Sequence, residues 1–155
     1  MRRRRAPKRD VVTDPKYDSE VLGQLINIIM RDGKKSTAQR IVYGALDIVA
    51  QKQKDDPLKV FFSALDNARP RVAVKPRRIG GATYQVPMEV TKEKGMSTVL
   101  RWIKDFALKK KGRPMKDKLA EEILAAFKNE GAIVKKREDT HKMAEANRAF
   151  AHFRY

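Results

Sequence analysis

Hydrophobic residues recur every three or four positions through most of the chain, which is the spacing of one buried face of an α-helix. Five such stripes predict five helices. In chain order they are Val21, Leu22, Leu25, Ile28 and Ile29; Ala38, Ile41, Val42, Ala45, Ile48 and Val49; Leu58, Phe61, Phe62, Leu65 and Ala68; Met96, Val99, Leu100, Ile103, Phe106 and Ala107; and Leu119, Ala120, Ile123, Leu124 and Phe127. A sixth stripe of Met143, Ala146 and Phe150 is thin, and it predicts a surface helix that begins between Val134 and Glu138.

Capping residues predict where these helices begin and end. Asp18 or Ser19 is suited to cap the first helix, and Gly33 to end it in a left-handed conformation. Ser36, with Gln39 three residues later, forms a capping-box pattern for the second helix. The other predicted boundaries are Asp56 with Pro57 before the third helix, Thr91 before the fourth, and the break at Gly112-Arg113-Pro114 before the fifth.

Along residues 71–90, hydrophobic residues no longer recur at helical spacing but alternate with polar or small residues. Val72 and Val74 alternate with polar or small residues before Gly80-Gly81, and Tyr84, Val86 and Met88 alternate after it. Two consecutive glycines supply the positive φ angles of a tight hairpin turn. Because Pro76 and Pro87 each remove a ladder donor, neither strand suits the middle of a wide sheet. The sequence therefore predicts a mainly α fold: a single six-helix bundle domain, residues 1–155, with a protruding two-stranded β-ribbon between helices three and four.

The charge balance requires an anionic partner. The chain has 36 Lys and Arg against 19 Asp and Glu, a net charge of +17, and such a surplus repels itself unless it is neutralised. Nucleic acid, an anionic membrane surface and an acidic protein are the candidates. No apolar run approaches the ~20 residues of a membrane span, and a protein without cysteine has no disulfides or thiolate metal sites.

Two stretches concentrate this charge. The ribbon has no acidic residue between Asn67 and Met88, and residues 1–9 contain six basic side chains. Residues 1–17 are predicted to form a basic, partly extended amino-terminal arm, whose first nine residues lack the apolar side chains that would order them alone. Such an arm is typical of a nuclear-import address or of a nucleic-acid contact.

The sequence gives no argument for catalysis, a metal or a cofactor. His141 and His152 lack a second ligand at a metal-binding spacing and are expected at the surface. The acidic pairs, such as Glu121-Glu122, are mostly explained by helix-end electrostatics. Gly33-Lys34-Lys35-Ser36 lacks the earlier glycine of a phosphate-binding loop, although both lysines are open to a phosphate contact. Trp102 is expected to pack, whereas Tyr84 is left open between stacking on bases and packing on Val74.

Three segments of the chain resemble a known family. They are Met30-Arg-Asp-Gly-Lys-Lys35, Pro76-Arg-Arg-Ile-Gly-Gly-Ala-Thr-Tyr-Gln-Val-Pro-Met-Glu-Val90 and Met143-Ala-Glu-Ala-Asn-Arg-Ala-Phe-Ala-His-Phe-Arg154. The chain resembles the bacterial type of small-subunit ribosomal protein seven, over essentially its whole length. The resemblance implies a helical bundle with a β-ribbon between its third and fourth helices, in agreement with the pattern described above.

The resemblance also implies a function and a set of partners. It implies a cytoplasmic, non-enzymatic ribosomal component that binds the 3′ major domain of the small-subunit RNA and nucleates assembly of the subunit head. Exit-site transfer RNA, the messenger exit path and small-subunit proteins nine and eleven are the implied neighbours. An architectural DNA-binding protein and a basic nucleic-acid hydrolase remain as rival hypotheses, although no catalytic constellation supports the second.

The clustering of basic residues predicts the RNA contacts, since arginine grips phosphates bidentately and lysine acts as a point charge. The main candidates are Arg2, Arg3, Arg4, Arg5, Lys8, Arg9, Lys34, Lys35, Arg71, Lys75, Arg77 and Arg78, and the secondary ones are Lys92, Lys94, Arg113, Lys135 and Lys136. Gly80, Gly81 and Tyr84 are expected close to the exit-site transfer RNA, where a glycine turn permits close backbone approach.

Overall fold

The computed structural model describes Ala6 and residues 12–153 of the chain. In order, its elements are α1 (Glu20–Ile29), α2 (Lys35–Gln53), α3 (Pro57–Ala68), β1 (Val72–Ile79), β2 (Ala82–Glu89), α4 (Lys92–Lys109), α5 (Met115–Phe127), α6 (Gly131–Ala146) and a short 3₁₀ helix (Arg148–Phe153). The predicted helices and the hairpin between the third and fourth of them are therefore confirmed.

All six α-helices contribute to one hydrophobic core. Its largest fully buried side chains include Leu22 of α1, Phe61 of α3, Leu100 of α4 and Ile123 of α5. Helix α5 packs against α2, α3, α4 and α6, so it lies at the centre of the bundle. The predicted stripes of the first five helices account for most of this core, but Phe62 is 37% exposed while its neighbour Phe61 is buried.

The ribbon is a two-stranded antiparallel hairpin with the predicted turn. Val72 lies opposite Glu89 at its base, and Ile79 lies opposite Ala82 beside the turn. Gly80 and Gly81 have φ angles of +55° and +89°, which glycine adopts without the steric penalty that other residues incur. The sheet has no third strand among the described residues, so the prolines at positions 76 and 87 are accommodated on edge strands.

The carboxyl-terminal part of the chain holds the ribbon against the bundle. Helix α6 packs on β1, and the 3₁₀ helix packs on β2. The ring centroid of Tyr84 lies 5.2 Å from that of Phe150 and 5.5 Å from that of Phe153. The aromatic cluster consequently covers the part of the ribbon on which the Tyr84 ring lies.

Two predicted helix boundaries are wrong. Helix α1 ends at Ile29, so Gly33 is not its cap; Asp32 and Gly33, with φ angles of +53° and +71°, instead form the turn that leads into α2. Helix α2 begins at Lys35 with Lys34 as its N-cap residue, and no side chain caps it. Ser36 therefore lies inside the first turn, because the backbone turn already directs the chain into the helix.

The last helix differs most from its prediction. Helix α6 begins at Gly131, several residues before the predicted start, and its buried residues are Ile133, Val134 and Ala144. Met143 of the predicted stripe is 47% exposed, which agrees with the predicted surface position of this part of the chain. The predicted start was wrong because the first turn of α6 inserts Ile133 and Val134 into the core.

The other predicted caps have mixed outcomes. The Ser19 hydroxyl accepts a hydrogen bond from the Leu22 amide, and the Asp56 carboxylate accepts one from Leu58. Thr91 occupies the N-cap position of α4 as expected, but its side chain makes no capping hydrogen bond. Glu122 lies in the middle of α5, not at a helix end, and its buried carboxylate forms an ion pair with Lys110 at 2.8 Å.

Candidate nucleic-acid interface

The ribbon presents cations that the protein itself does not neutralise. Lys75 and Arg78 are exposed, and neither forms an ion pair with any residue that the structure describes. Arg77 is half-buried and is already engaged in a contact within the protein. Opposed residues of an antiparallel pair share a face, so Arg77 lies on the face of Tyr84, and Arg78 lies with Thr83 on the other.

Tyr84 does not pack on Val74, which was the packing partner suggested by the sequence. Val74 pairs with Pro87 on the opposite face of the ribbon, and Tyr84 contacts Phe150 and Phe153. The packing alternative therefore named the wrong partner. Because the ring of Tyr84 is only half-buried, stacking on a base stays a prediction for this residue.

A second group of cations surrounds the start of α2. Lys34 and Lys35 are exposed, and the first turn of α2 contains no acidic residue. A helix amino terminus has free amides and the positive end of the helix dipole, both of which favour an anion. The two lysines therefore lie where a phosphate group would be stabilised by the backbone as well as by their own charge.

The remaining predicted cations differ in whether an acidic side chain of the described residues neutralises them. Lys92 and Lys94 in the first turn of α4, and Lys135 and Lys136 in α6, are exposed, with no ion pair to a described residue. Arg113 forms an ion pair with Glu121, so its charge is partly neutralised within the protein. The arm residues Arg2, Arg3, Arg4, Arg5, Lys8 and Arg9 lie outside the described residues.

His141 joins α6 to the base of the ribbon. Its Nε2 atom accepts a hydrogen bond from the Arg71 amide at 3.0 Å, and Arg71 directly precedes β1. Burial lowers the pKa of His141 below its usual 6.5, and the nearby charges of Arg137 and Arg71 lower it further. The expectation of a surface histidine is confirmed for His152, which is exposed, whereas His141 is half-buried.

A groove between the ribbon base and the bundle was not predicted. Lys94, Thr98 and Trp102 of α4 form one wall, and ribbon residues including Lys75 and Met88 form the other, around a cavity of about 340 Å³. The spacing of four residues between these α4 side chains puts them on one helix face. That spacing could have been found in the sequence, but nothing in the sequence says that the ribbon lies across this face.

The described residues form neither a metal centre nor a membrane-spanning helix. Residues 12–153 contain no group of three or more His, Cys, Asp or Glu side chains that could hold a metal ion. No helix within this part of the chain has the length and apolar character needed to cross a bilayer.

These features define a class of protein. The described residues form a basic, mainly helical fold that presents unneutralised lysine and arginine side chains on a ribbon, at a helix start and along two further helices. The sequence profile of the family described as "Ribosomal protein S7p/S5e" matches residues 1–148. The chain therefore belongs to this family, which is a family of structural ribosomal proteins and not of enzymes.

Individual relatives agree with the family match over their full length. The protein named "Small ribosomal subunit protein uS7" of Thermotoga petrophila is 59% identical over 155 residues, which is 100% of both chains. The protein of the same name in Fervidobacterium nodosum is also 59% identical over 100% of both chains. The Acidithiobacillus ferrooxidans relative, again of that name, is 56% identical over 99% of both chains. The resemblance found in the sequence is confirmed.

Proposed function

We propose that residues 1–155 act as one domain that binds small-subunit ribosomal RNA in the cytoplasm as a structural part of the ribosome. The RNA target is the 3′ major domain, where binding nucleates assembly of the subunit head. The protein lies beside the exit-site transfer RNA and the messenger exit path, with small-subunit proteins nine and eleven as neighbours. It has no enzymatic role in this proposal.

One observation supports this proposal more than any other. Lys75 and Arg78 extend from a ribbon that has no acid between Asn67 and Met88, and no described residue forms an ion pair with either. Folded RNA is recognised largely through its shape and its phosphates, which suits a rigid finger with cations along it.

The ribbon turn supports the proposed position beside transfer RNA. Gly80 and Gly81 have no side chains, and a Cβ atom placed on either would meet no atom within 4 Å from the described residues beyond its chain neighbours. The turn is therefore open to its surroundings, and an RNA backbone could approach it closely. The further phosphate contacts that we propose are Arg71, Lys34, Lys35, Lys92, Lys94, Lys135, Lys136 and the cations of the arm. Arg77 and Arg113 contribute where their contacts within the protein allow.

The salt dependence of RNA affinity tests the ribbon directly. The affinity for a junction RNA from the 3′ major domain is measured over a range of salt concentrations for the wild type and for Lys75→Ala/Arg78→Ala. Loss of two phosphate contacts should flatten the slope of log affinity against log salt by roughly 1.4 to 1.8. The matched control is Lys52→Ala/Lys128→Ala, which removes two exposed lysines outside the proposed interface.

The control separates local contact from overall charge. If the ribbon touches the RNA, the control variant should retain the wild-type slope. Equal slopes for the wild type and the ribbon variant would show that the ribbon does not contact the RNA. Equal flattening in the ribbon variant and the control would show that the ribbon lysine and arginine act only through the overall charge of the protein.

A further inference from the structure

The groove between the ribbon and α4 combines apolar surface with cations at its edge. Trp102 and Met88 line it, together with Lys75 and Lys94. Trp102 is half-buried, so part of its ring is accessible from the groove. The cavity volume of about 340 Å³ lies at the small end of ligand pockets, and is suited to a single planar ring system.

The chemistry of this lining matches one unpaired RNA base with its phosphates. Bases that are splayed out of a junction or loop stack on aromatic side chains, and stacking tolerates any base because each has a π-face. A methionine side chain adapts to the shape of what it contacts. Lys75 and Lys94 are exposed and form no ion pair with a described residue, so they are available to the phosphates that flank the base.

We propose that the groove receives an unpaired base of the bound RNA, which stacks on Trp102 while Lys75 and Lys94 hold the adjacent phosphates. This inference rests on the proposed function, because it names a subsite within the same RNA interface. Glu89 also lines the groove and is already engaged in a contact within the protein. The positive edge of the groove favours RNA over an apolar segment of an acidic protein, since a base brings its own phosphates next to the lysines.

The packing around the groove makes it a formed site. A Cβ atom on Gly95 of α4 would lie 2.9 Å from Arg69 Cγ and 3.3 Å from the Pro70 carbonyl oxygen, so the chain before the ribbon lies directly on the helix. Thr98 also donates its hydroxyl to the Lys94 carbonyl at 2.8 Å within α4. The walls are therefore held by the fold before RNA arrives, and little ordering is needed on binding.

Tryptophan fluorescence reports on this groove specifically, because Trp102 is the chain's one tryptophan. The full-length protein is titrated with a short single-stranded oligoadenylate and, separately, with polyphosphate and with polyglutamate. Stacking predicts that the oligoadenylate quenches the emission substantially while both base-free polyanions leave it nearly unchanged. Equal quenching by polyphosphate, or quenching by polyglutamate alone, would overturn the proposal, the second outcome pointing to a protein partner.

A groove-filling variant tests the same subsite on the junction RNA. Thr98→Leu places a larger apolar side chain in the groove and keeps every charge, and leucine is a good helix former. It should weaken junction binding about tenfold, from the loss of one stacked base, without changing the salt slope. Ser97→Leu makes a similar change one position away, outside the groove lining, and should bind as the wild type does.

The outcomes distinguish this inference from the proposed function. If Thr98→Leu binds the junction with wild-type affinity, the groove holds no base, although the protein still binds RNA. A flatter salt slope in Thr98→Leu would also contradict the inference, because it would mean that phosphate contacts, and not stacking, were lost. If the wild type itself shows no preference for the junction, the proposed function fails before the groove is considered.

Discussion

Asp14 is 2% exposed and fixes the segment that precedes α1. Its carboxylate accepts hydrogen bonds from the amides of Lys16 and Tyr17, at 3.2 and 3.1 Å, and from the Tyr43 hydroxyl at 2.6 Å. Burial and the bond to Asp14 raise the pKa of Tyr43 to about 12, so the hydroxyl keeps its proton and remains a donor. A buried carboxylate with three donors holds this end of the basic arm against the bundle.

Because Gly23 has no side chain, the segment that precedes α1 can lie directly against that helix. A Cβ atom there would come 2.5 Å from the Val12 carbonyl oxygen, which is backbone and cannot rotate away. Gly23→Ala should therefore destabilise the protein by about 1–3 kcal/mol in denaturant unfolding. The matched control is Gly44→Ala in α2, whose Cβ would meet only the flexible Lys116 side chain at 3.4 Å. Gly44→Ala should leave the free energy of unfolding unchanged or raise it by up to about 1 kcal/mol. Equal changes in unfolding free energy for the two variants would refute the close approach of the Val12 carbonyl to Gly23.

His141 predicts a specific pH dependence of stability. Because burial and two arginines lower its pKa in the folded state, the folded protein binds fewer protons than the unfolded chain near this pKa. The stability that comes from a neutral His141 is full above the unfolded pKa of about 6.5 and is lost as the pH falls through the folded pKa. Between pH 7 and pH 5, the wild type should lose more unfolding free energy than His141→Gln.

A second histidine variant provides the comparison. His152→Gln removes the other histidine, which is exposed at the end of the chain, and should follow the wild-type curve. Parallel stability curves for the wild type and His141→Gln would show that folding does not lower the pKa of His141, and would contradict this prediction.

The sequence predicted those single-residue roles whose partners are close along the chain. Asp56 caps an amide two positions away, and Ser19 one three positions away. By contrast, Asp14 reaches Tyr43 across 29 positions, and Arg71 reaches His141 across 70. Local spacing contains no information about such partners, so Asp14 passed unnoticed and His141 was assigned to the surface.

At the scale of elements, Lys110 joins the end of α4 to two carboxylates of α5. Lys110 Nζ lies 2.8 Å from the Glu122 carboxylate and 3.2 Å from that of Glu121. Burial by itself would lower the pKa of Lys110, but hydrogen bonds and charge attraction to these two carboxylates outweigh it and raise the pKa. Glu122 is 3% exposed, and its Oε2 atom has no hydrogen-bond partner among the residues that the structure describes. Its buried charge is therefore balanced by Lys110.

Lys110→Met should therefore leave a buried carboxylate without its counter-charge. Removing one partner of a buried pair costs up to about 5 kcal/mol, and the partial exposure of Lys110, 39% of its side chain, reduces this to about 1–3 kcal/mol. Lys109→Met is the control, because Lys109 is exposed and lies only over the Phe106 ring. A loss below about 0.5 kcal/mol for Lys110→Met in denaturant unfolding would contradict the role of this pair.

Element types were predicted well, and element boundaries less well. The periods of the apolar stripes and the Gly80-Gly81 turn identify helices and hairpin because both are local properties. Helix α6 was misplaced because its core contact comes from Ile133 and Val134 in its first turn, and two residues are too few to establish a period. The covering of β2 by Phe150 and Phe153 depends on tertiary packing, which the sequence pattern does not contain.

At the scale of the whole molecule, the net charge of +17 decides how the protein behaves. The core is one cluster of apolar side chains from six helices, and the exposed cations of the ribbon, of α2 and of α4 lie outside it. A surplus of this size weakens the isolated fold through self-repulsion, and binding to phosphates removes that repulsion. Charge alone, however, would attract any polyanion, so shape must supply the selectivity.

Competition between equally charged partners tests whether shape, and not charge alone, selects the RNA. The full-length protein is bound to a junction RNA from the 3′ major domain at moderate salt, and duplex DNA of the same phosphate count is added as competitor. We expect a preference for the junction of at least about a thousandfold, the lower end of specific over non-specific nucleic-acid binding. Displacement of the RNA by equimolar duplex DNA would contradict it, and would identify the protein as a general binder of polyanions.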